Sequence, residues 1–419
     1  VWECDVSFSL VRHRGGTIFS PVSADGAVGA YADALAWSSP ATWGGRKPGP
    51  NDVVQVPAGC TLLIDENIEV TVLEIQGTVL FAARDLQVKA IGILVSGDGV
   101  MRAGDARRAF AHRLVFTLGT GRNFNLIHGL GSKFLAAVNG GAIELFGPRR
   151  RAWARLSDST TPGTILVRLS EPVDWSPGDK IIIASGGAER PLIEERGIFG
   201  VTTDGLRVTL DAPVSHRHEG QRARMRYGLT DSAAKVVLLS RSIAIEGDAN
   251  GIHAGYGAHM LIAGRLPKDS GNGVASGSRG CFVGVEFRRM GQFNRPGRYP
   301  AHWYDNQVAR DSMLKDCVIH ESFQRGVVVS GTRGVQLHGN VVYKPLGHGF
   351  VLERPEDWAS ILVDNLTVRP RPARFVDPAM RAMDEVRPRS VWFSDVPHQP
   401  PPVDTGDIDD PNEPAARSC

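Results

Sequence analysis

Residues 317–353 read CVIHESFQRGVVVSGTRGVQLHGNVVYKPLGHGFVLE, and this stretch decides the fold. Its β-branched runs, Val318-Ile319, Val327-Val328-Val329 and Val341-Val342, are separated by Gly, Ser, Asn and Pro. Short apolar runs bounded by turn residues are strands, not helices. Set beneath one another, GVEFRRMGQ, CVIHESFQR, NVVYKPLGH and NLTVRP align on Gly284, Cys317, Asn340 and Asn365. The last two steps are 23 and 25 residues, and the first is longer and carries an insertion. A period in the twenties marks a solenoid. Because each repeat holds β-branched strands and Gly or Asn turns, the reading is an all-β, right-handed parallel β-helix.

Equivalent residues of successive coils then lie on adjacent strands, about 4.8 Å apart. This alignment gives Gln292, Arg325 and His348 one shared position. A second alignment, of PAHWYD, RGVVVS and HGFVLE, puts Asp305, Ser330 and Glu353 in one column. His, Arg and carboxylate side chains would thus gather on one face. Asn340 and Asn365 recur at a turn and read as a structural ladder, in which stacked amides bond each other and the backbone.

Working outward, DVVQVPAG, GTVLFAA, GILVSGDG, AIELFG, KIIIASG and LRVTLDAPV extend the β texture, so the chain to about residue 245 fits a stack of strands. Forty-eight glycines suit a fold with many turns. The net charge is only +2 over 419 residues, which argues against a general nucleic-acid binder. Basic clusters such as Arg149-Arg150-Arg151 read as solvated surface. There is no apolar run long enough to span a membrane as a helix. The opening VWECDVSFSL lacks the basic and apolar regions of a signal peptide. The five cysteines, Cys4, Cys60, Cys281, Cys317 and Cys419, show no zinc-ribbon spacing. Beyond about residue 370 the texture turns Pro-rich and acidic, as in DTGDIDDPNEP, and reads as an extended tail after a short helix at PAMRAMDEV.

The string WSSPATWGGRKPGPNDVVQVPAGCTLLID (37–65) is followed by LEIQGTVLF, LGTGR, GSKFLAAVNGGAIELFG, Trp153 and VDWSPGDKIIIAS. This succession resembles the extracellular domain named for its eight glycines. That domain occurs in fibrocystin-type receptors and in hyaluronan-degrading proteins of the cell migration-inducing, hyaluronan-binding type. VVLLSRSIAIEGD, GAHMLI, GVEFRRMGQ, GRYPAHWYD and 317–353 resemble the β-helix core of the hyaluronan-degrading group, so the resemblance covers about residues 37 to 357. Tyr304 stands where that family has a second His, and Glu353-Arg354-Pro355 where it has Glu-Asp-Gly. The implied organisation is an extension over 1–36, an eight-glycine β module over 37–183 stacked on a β-helix over 184–370, and a tail over 371–419. The resemblance also implies a secreted protein that degrades hyaluronan or a similar uronate-containing glycan, with Ca2+ as a possible cofactor.

Hydrolysis of a glycan needs an acid and a base or nucleophile, usually two carboxylates. Asp305 and Glu353 are the best-placed pair; the plain alternative is that each caps a turn or pairs with an arginine. His302 and His348 are candidates for proton transfer near neutral pH. Arg325 and Arg298 could clamp a uronate carboxylate through paired hydrogen bonds, or else form ion pairs with Glu321 or Asp316. Tyr299, Trp303 and Tyr304 could stack on sugar rings, but a strand alternates sides, so Tyr304 should share His302's side and Trp303 the opposite one. His259 and Gln292 complete the expected substrate-binding set, and His320 reads as a core or turn residue. His302, Asp305, His348 and Glu353 would together suit a divalent ion. A polysaccharide lyase, with Arg325 or a cation neutralising the uronate and His302 or Tyr304 as base, is the first alternative. A non-catalytic glycan-binding module is the second.

Overall fold

A computed structural model describes residues 18–19, 34–119, 129–185, 192–220, 223–225, 228–230, 233–265, 277–357, 359–372 and 391–393. The expected helix at PAMRAMDEV, the acidic tail, and Cys4 and Cys419 lie outside the described residues. Among the described residues, three long parallel sheets have ten, nine and eight strands. Each coil sends one strand to each sheet in turn: Val53–Val56, Thr61–Ile64 and Ile68–Glu69 make one coil, and Val72–Ile75 opens the next. The fold is therefore a parallel β-helix, as the repeat implied.

Alternation decides what is buried, because successive side chains of a strand point to opposite faces. In the first sheet Val54, Val56, Leu73, Ile75, Ile93, Val95, Met260, Ile262, Ala301, Trp303, Val327 and Val329 point inward into one continuous core. Trp303 is fully buried there, edge-on to Phe282, which in turn meets Phe287. The outer face of the same sheet carries Val72, Leu94, Phe134, Ala136, Leu261 and Ala263, with Tyr304 packed against them.

The corners are held by left-handed residues. Gly284, Asp316, Gly339 and Asp364 take φ of 59°, 54°, 64° and 53° just before equivalent strands of the third sheet. Gly and Asp are among the residues that reach this region at least cost. Just inside that corner, Asn340 Oδ1 accepts from the Cys317 amide, Asn365 Oδ1 accepts from the Asn340 amide, and Asn340 Nδ2 donates to Leu314 O and Asn365 Oδ1. Cys317 continues the ladder with its sulfur, which receives the Val285 amide at 3.4 Å. Cys60, Cys281 and Cys317 are buried free thiols.

This corner corrects the alignment of the first repeat. Gly284 is the equivalent of Asp316, not of Cys317, since Glu286 pairs with Val318. Gln292 therefore falls level with Gln324 and leaves the position it was expected to share with Arg325 and His348. The later repeats keep their register, with Val318 on Val341 and Val341 on Leu366.

The strands do not all belong to the helix. Between Ala142–Phe146 of the second sheet and Ile243–Gly247 of the third lies an antiparallel six-stranded sheet built from residues 153–238, with its own core around Leu156, Trp175, Ile181, Ile183, Val208 and Val236. KIIIASG and LRVTLDAPV supply two of its strands, Lys180–Ala184 and Arg207–Leu210. The boundary expected at residue 183 falls inside the first of these. Coils on either side of the insert share the same three sheets, since Leu114–Leu118 pairs directly with Ile243–Gly247. The insert docks on the outer face of the third sheet, where Ile182, Val237 and Leu239 meet Val318, Val341, Tyr343 and Leu366, and Tyr343 donates to Glu195 at 2.7 Å.

Candidate functional site

The strand Ala301–Val308 organises the outer face of the first sheet. Ala301 and Trp303 point into the core, which sends His302 and Tyr304 outward together. Ala301 pairs with Val327, His302 with Val328 and Tyr304 with Ser330. Tyr304, not Asp305, is thus level with Ser330, and Glu353 follows in the next coil, where its amide donates to Val329 O. The expected Asp305–Ser330–Glu353 column is corrected by one residue.

A bulge accounts for Asp305. The register slips between Tyr304 and Gln307, and Asp305 and Gln307 both take positive φ, 43° and 51°. Non-glycine residues there cost about 1–2 kcal/mol each. The offset comes from buried Asn306, which accepts from the Ser278 amide, donates to Ser278 O and gives its own amide to Thr332 Oγ1. The bulge turns Asp305 to a partly exposed place, where its carboxylate lies 3.4 Å from Arg265.

His302 is 3% exposed, with the Tyr299 ring edge-on at 4.9 Å and the Tyr304 ring tilted at 5.4 Å. Burial pushes its pKa down to about 3; a hydrogen bond to the Gly297 main chain opposes this, and the charges of Arg298, Arg354 and Arg325 add to it. At least one of its buried ring nitrogens has no hydrogen-bond partner. His302 is therefore a neutral imidazole at physiological pH. His259, fully buried on the adjacent strand two residues before Leu261, the partner of His302, bonds Leu130 O through Nε2, and burial holds its pKa well below the usual value.

Arg325 is 1% exposed, pairs with Glu353 at 2.9 Å and lies over the Tyr299 ring at 5.8 Å. Its partner is neither Glu321, which meets Arg289, nor Asp316, which meets Arg149. Arg354 lies over the Tyr304 ring at 5.6 Å. His348 is buried one coil beyond Arg325 at the equivalent position. Arg298 is held by Gly129 O, and Gln292 Nε2 donates to Ser132 O and Gly257 O. Gln292 and Arg298 thus tie the segment Gly129–Ser132 across the face.

The structure divides the expected residues by depth. His259, Gln292, Tyr299, His302, Arg325 and His348 form a buried floor, while Arg298, Tyr304, Glu353 and Arg354 form a half-exposed rim. Among the described residues, three guanidinium groups and one carboxylate stand around two histidines held neutral, an arrangement that favours an anionic ligand. Arg354 and Tyr304 were each visible in the sequence, but Arg354 carried no signal until its guanidinium was seen over the phenol. His320 is a core residue bonded to Glu286 at 3.0 Å. An open polar groove of about 300 Å³ lined by Asp98, Arg279 and Asp311 lies elsewhere, at the passage from the first sheet to the second.

The quartet expected to suit a divalent ion is not arranged for one. Asp305 is turned toward Arg265 and Glu353 is committed to Arg325. Among the described residues no group of three or more His, Cys, Asp and Glu could hold a metal ion. Also among them, no helix is long and apolar enough to cross a membrane.

The fold and this face define a parallel β-helix carrying a cationic, aromatic cluster on one outer sheet. Residues 42–157 match the family model of the G8 domain, and residues 272–399 match that of the CEMIP beta-helix. These matches bear out the resemblance read from the sequence. The chain is 30% identical to Fibrocystin-L of Homo sapiens over 400 residues, 87% of this chain and 9% of that protein. It is 25% identical to Protein rliB of Dictyostelium discoideum over 345 residues, 80% of this chain and 29% of that one. The chain thus spans less than a third of either relative. Among solved structures, the tailspike protein gp49 from Pseudomonas phage LKA1 overlaps 70% of this chain and 41% of its own at 12% identity, with a TM-score of 0.20.

Proposed function

We propose that this chain binds and cleaves an anionic, uronate-containing polysaccharide, hyaluronan or a similar polymer, at the outer face of the first sheet. The observation that carries the reading is the neutral His302, set between Tyr299 and Tyr304 and surrounded by Arg298, Arg325 and Arg354. The half-exposed rim meets the sugar chain first. Arg354 and Arg298 attract the uronate carboxylate, and the Tyr304 ring offers an apolar face to the sugar. The match to the CEMIP beta-helix supports the substrate class. An extracellular working place goes with this reading, because such polymers are matrix and capsule material.

In the hydrolytic form of the reaction, Glu353 is the carboxylate nearest the sugar, and His302 takes over proton transfer from the displaced Asp305. One observation favours elimination as a second reading: among the described residues the cluster holds one carboxylate, already paired with Arg325, beside a neutral imidazole and a phenol. In that form a guanidinium neutralises the uronate, His302 withdraws the proton next to the carboxylate, and Tyr304 protonates the leaving oxygen. No step in either form is routed through calcium, since the residues do not fit it.

The test is incubation of the purified chain with a panel of glycosaminoglycans and bacterial exopolysaccharides, followed by size-exclusion chromatography and ultraviolet spectra of the products. Shortened chains without new absorbance mean hydrolysis, and unsaturated uronate absorbance means elimination. If every polymer keeps its length while His302→Ala and Glu353→Ala variants and the parent bind it alike, the chain is a binding module and the cleavage reading fails.

A further inference from the structure

A second cluster lies in the antiparallel insert, remote in sequence from the His302 face. Ser185 directly follows the strand Lys180–Ala184, and its Oγ is 2.8 Å from Nδ1 of His218. Nε2 of the same ring is 3.0 Å from Oε1 of Glu194. His218 is fully buried, Glu194 is 6% exposed, and Ser185 is half-exposed.

The proton positions follow from chemistry. Glu194 receives the Ser215 and His216 amides at 2.7 Å each and pairs with Arg196. Despite its burial, these contacts and the His218 bond hold its pKa down at about 2. Being ionised, it can only accept, so Nε2 of His218 carries the proton and donates it. Burial lowers the pKa of His218, so the ring is neutral and Nδ1 keeps a free lone pair. Ser185 must then donate its hydroxyl proton to Nδ1. A hydroxyl on an accepting imidazole, with the ring fixed by a buried carboxylate, is the arrangement that activates a serine nucleophile. Here the two ring nitrogens have exchanged their usual partners, which a neutral imidazole permits.

We propose that Ser185, His218 and Glu194 form a second, nucleophilic site that hydrolyses small acyl esters. Ser185 Oγ attacks the acyl carbon, forming an O–C bond while the C=O π pair moves onto the carbonyl oxygen and the serine proton passes to His218 Nδ1; the oxyanion's collapse restores the C=O. The imidazolium is stabilised by Glu194. The acyl carbon's bond to the alcohol oxygen then breaks, and Nδ1 returns the proton to that departing oxygen. Water repeats the sequence on the acyl-serine, giving up its proton through His218, releasing the acid and restoring Ser185. Esters suit the site because an alkoxide leaves more readily than an amine.

The experiment uses the whole chain, p-nitrophenyl acetate as substrate and a fluorophosphonate as covalent probe, with the adduct mapped by mass spectrometry. The expected result is one adduct on Ser185, ester turnover that Ser185→Ala abolishes, and a loss of about 100-fold or more in His218→Gln. The rate should climb with pH as His218 deprotonates, with a midpoint below 6.5. Ser185→Ala removes one hydroxyl and should keep the parent's circular dichroism and melting temperature, which separates lost chemistry from lost fold. The proposal is overturned if the parent carries no adduct on Ser185 after exhaustive reaction, or if Ser185→Ala turns the ester over at the parent's rate. Glycan cleavage at the His302 face is unaffected by either outcome.

Discussion

Replacing Asn340 by Ala isolates what one rung of the ladder contributes. The Asn340 side chain receives the Cys317 amide and donates to Leu314 O, and both of those residues are fully buried. Asn365 keeps a partner after the change, because the Asn340 backbone amide still donates to its Oδ1 at 3.1 Å. The Cys317 amide is therefore orphaned, at about 1–3 kcal/mol, while Leu314 O keeps the ladder bond that the pairing of Leu314 with Leu337 and Lys315 with His338 implies. The expected loss is about 1–3 kcal/mol, seen as a lower denaturant midpoint at unchanged slope. Asn365→Ala should cost less, since Asn365 sits at the half-exposed end of the ladder, where water can replace the lost bonds. Denaturation followed by tryptophan fluorescence measures both variants. A loss below about 0.5 kcal/mol for Asn340→Ala, the range of an ordinary surface change, would refute the idea that the ladder fixes the corner.

Trp303→Ala should destabilise by about 3–5 kcal/mol, because the indole is fully buried against Phe282; equilibrium unfolding reads this directly. Asp305→Asn should change stability by no more than about 1 kcal/mol, since its pair with Arg265 is exposed, and thermal melting checks it. Acid should weaken the fold through His302. The folded chain keeps it neutral down to about 3 whereas the unfolded chain protonates near 6.5, so the unfolded state binds the extra proton and stability falls as pH drops between those values. The slope from this one group is at most about 1.4 kcal/mol per pH unit, and His302→Gln should flatten the measured pH–stability curve by that amount.

The β-helix was legible because its repeat is carried by chemistry that tolerates few substitutes: the ladder needs an amide at Asn340 and Asn365, and inward positions need apolar side chains, mostly Val, Ile, Leu or Phe. The corner before each ladder residue needs only a positive φ, which Gly284, Asp316, Gly339 and Asp364 reach alike. Matching Gly284 to a ladder residue was therefore a one-residue error, and it displaced Gln292. The antiparallel insert was hidden for a different reason. KIIIASG and LRVTLDAPV are short β-branched runs like those of the coils, and such a run carries no information about which strand lies alongside or in which direction. At the candidate site, the sidedness of His302, Trp303 and Tyr304 follows from strand periodicity alone. The bulge at Asp305 does not, since it depends on Asn306 finding Ser278 and Thr332 in other coils. The pairing of Arg325 with Glu353, one coil apart, was likewise visible only once the register was fixed.

Cutting of a uronate polymer at the His302 face is tested most directly by the chain length of high-molecular-mass hyaluronan after incubation with the parent, His302→Ala and Glu353→Gln. The parent should shorten the polymer, and both variants, checked for intact folding by circular dichroism, should leave it long. A parent that leaves hyaluronan and every related uronate polymer uncut, or folded variants that cut as fast as the parent, would contradict it.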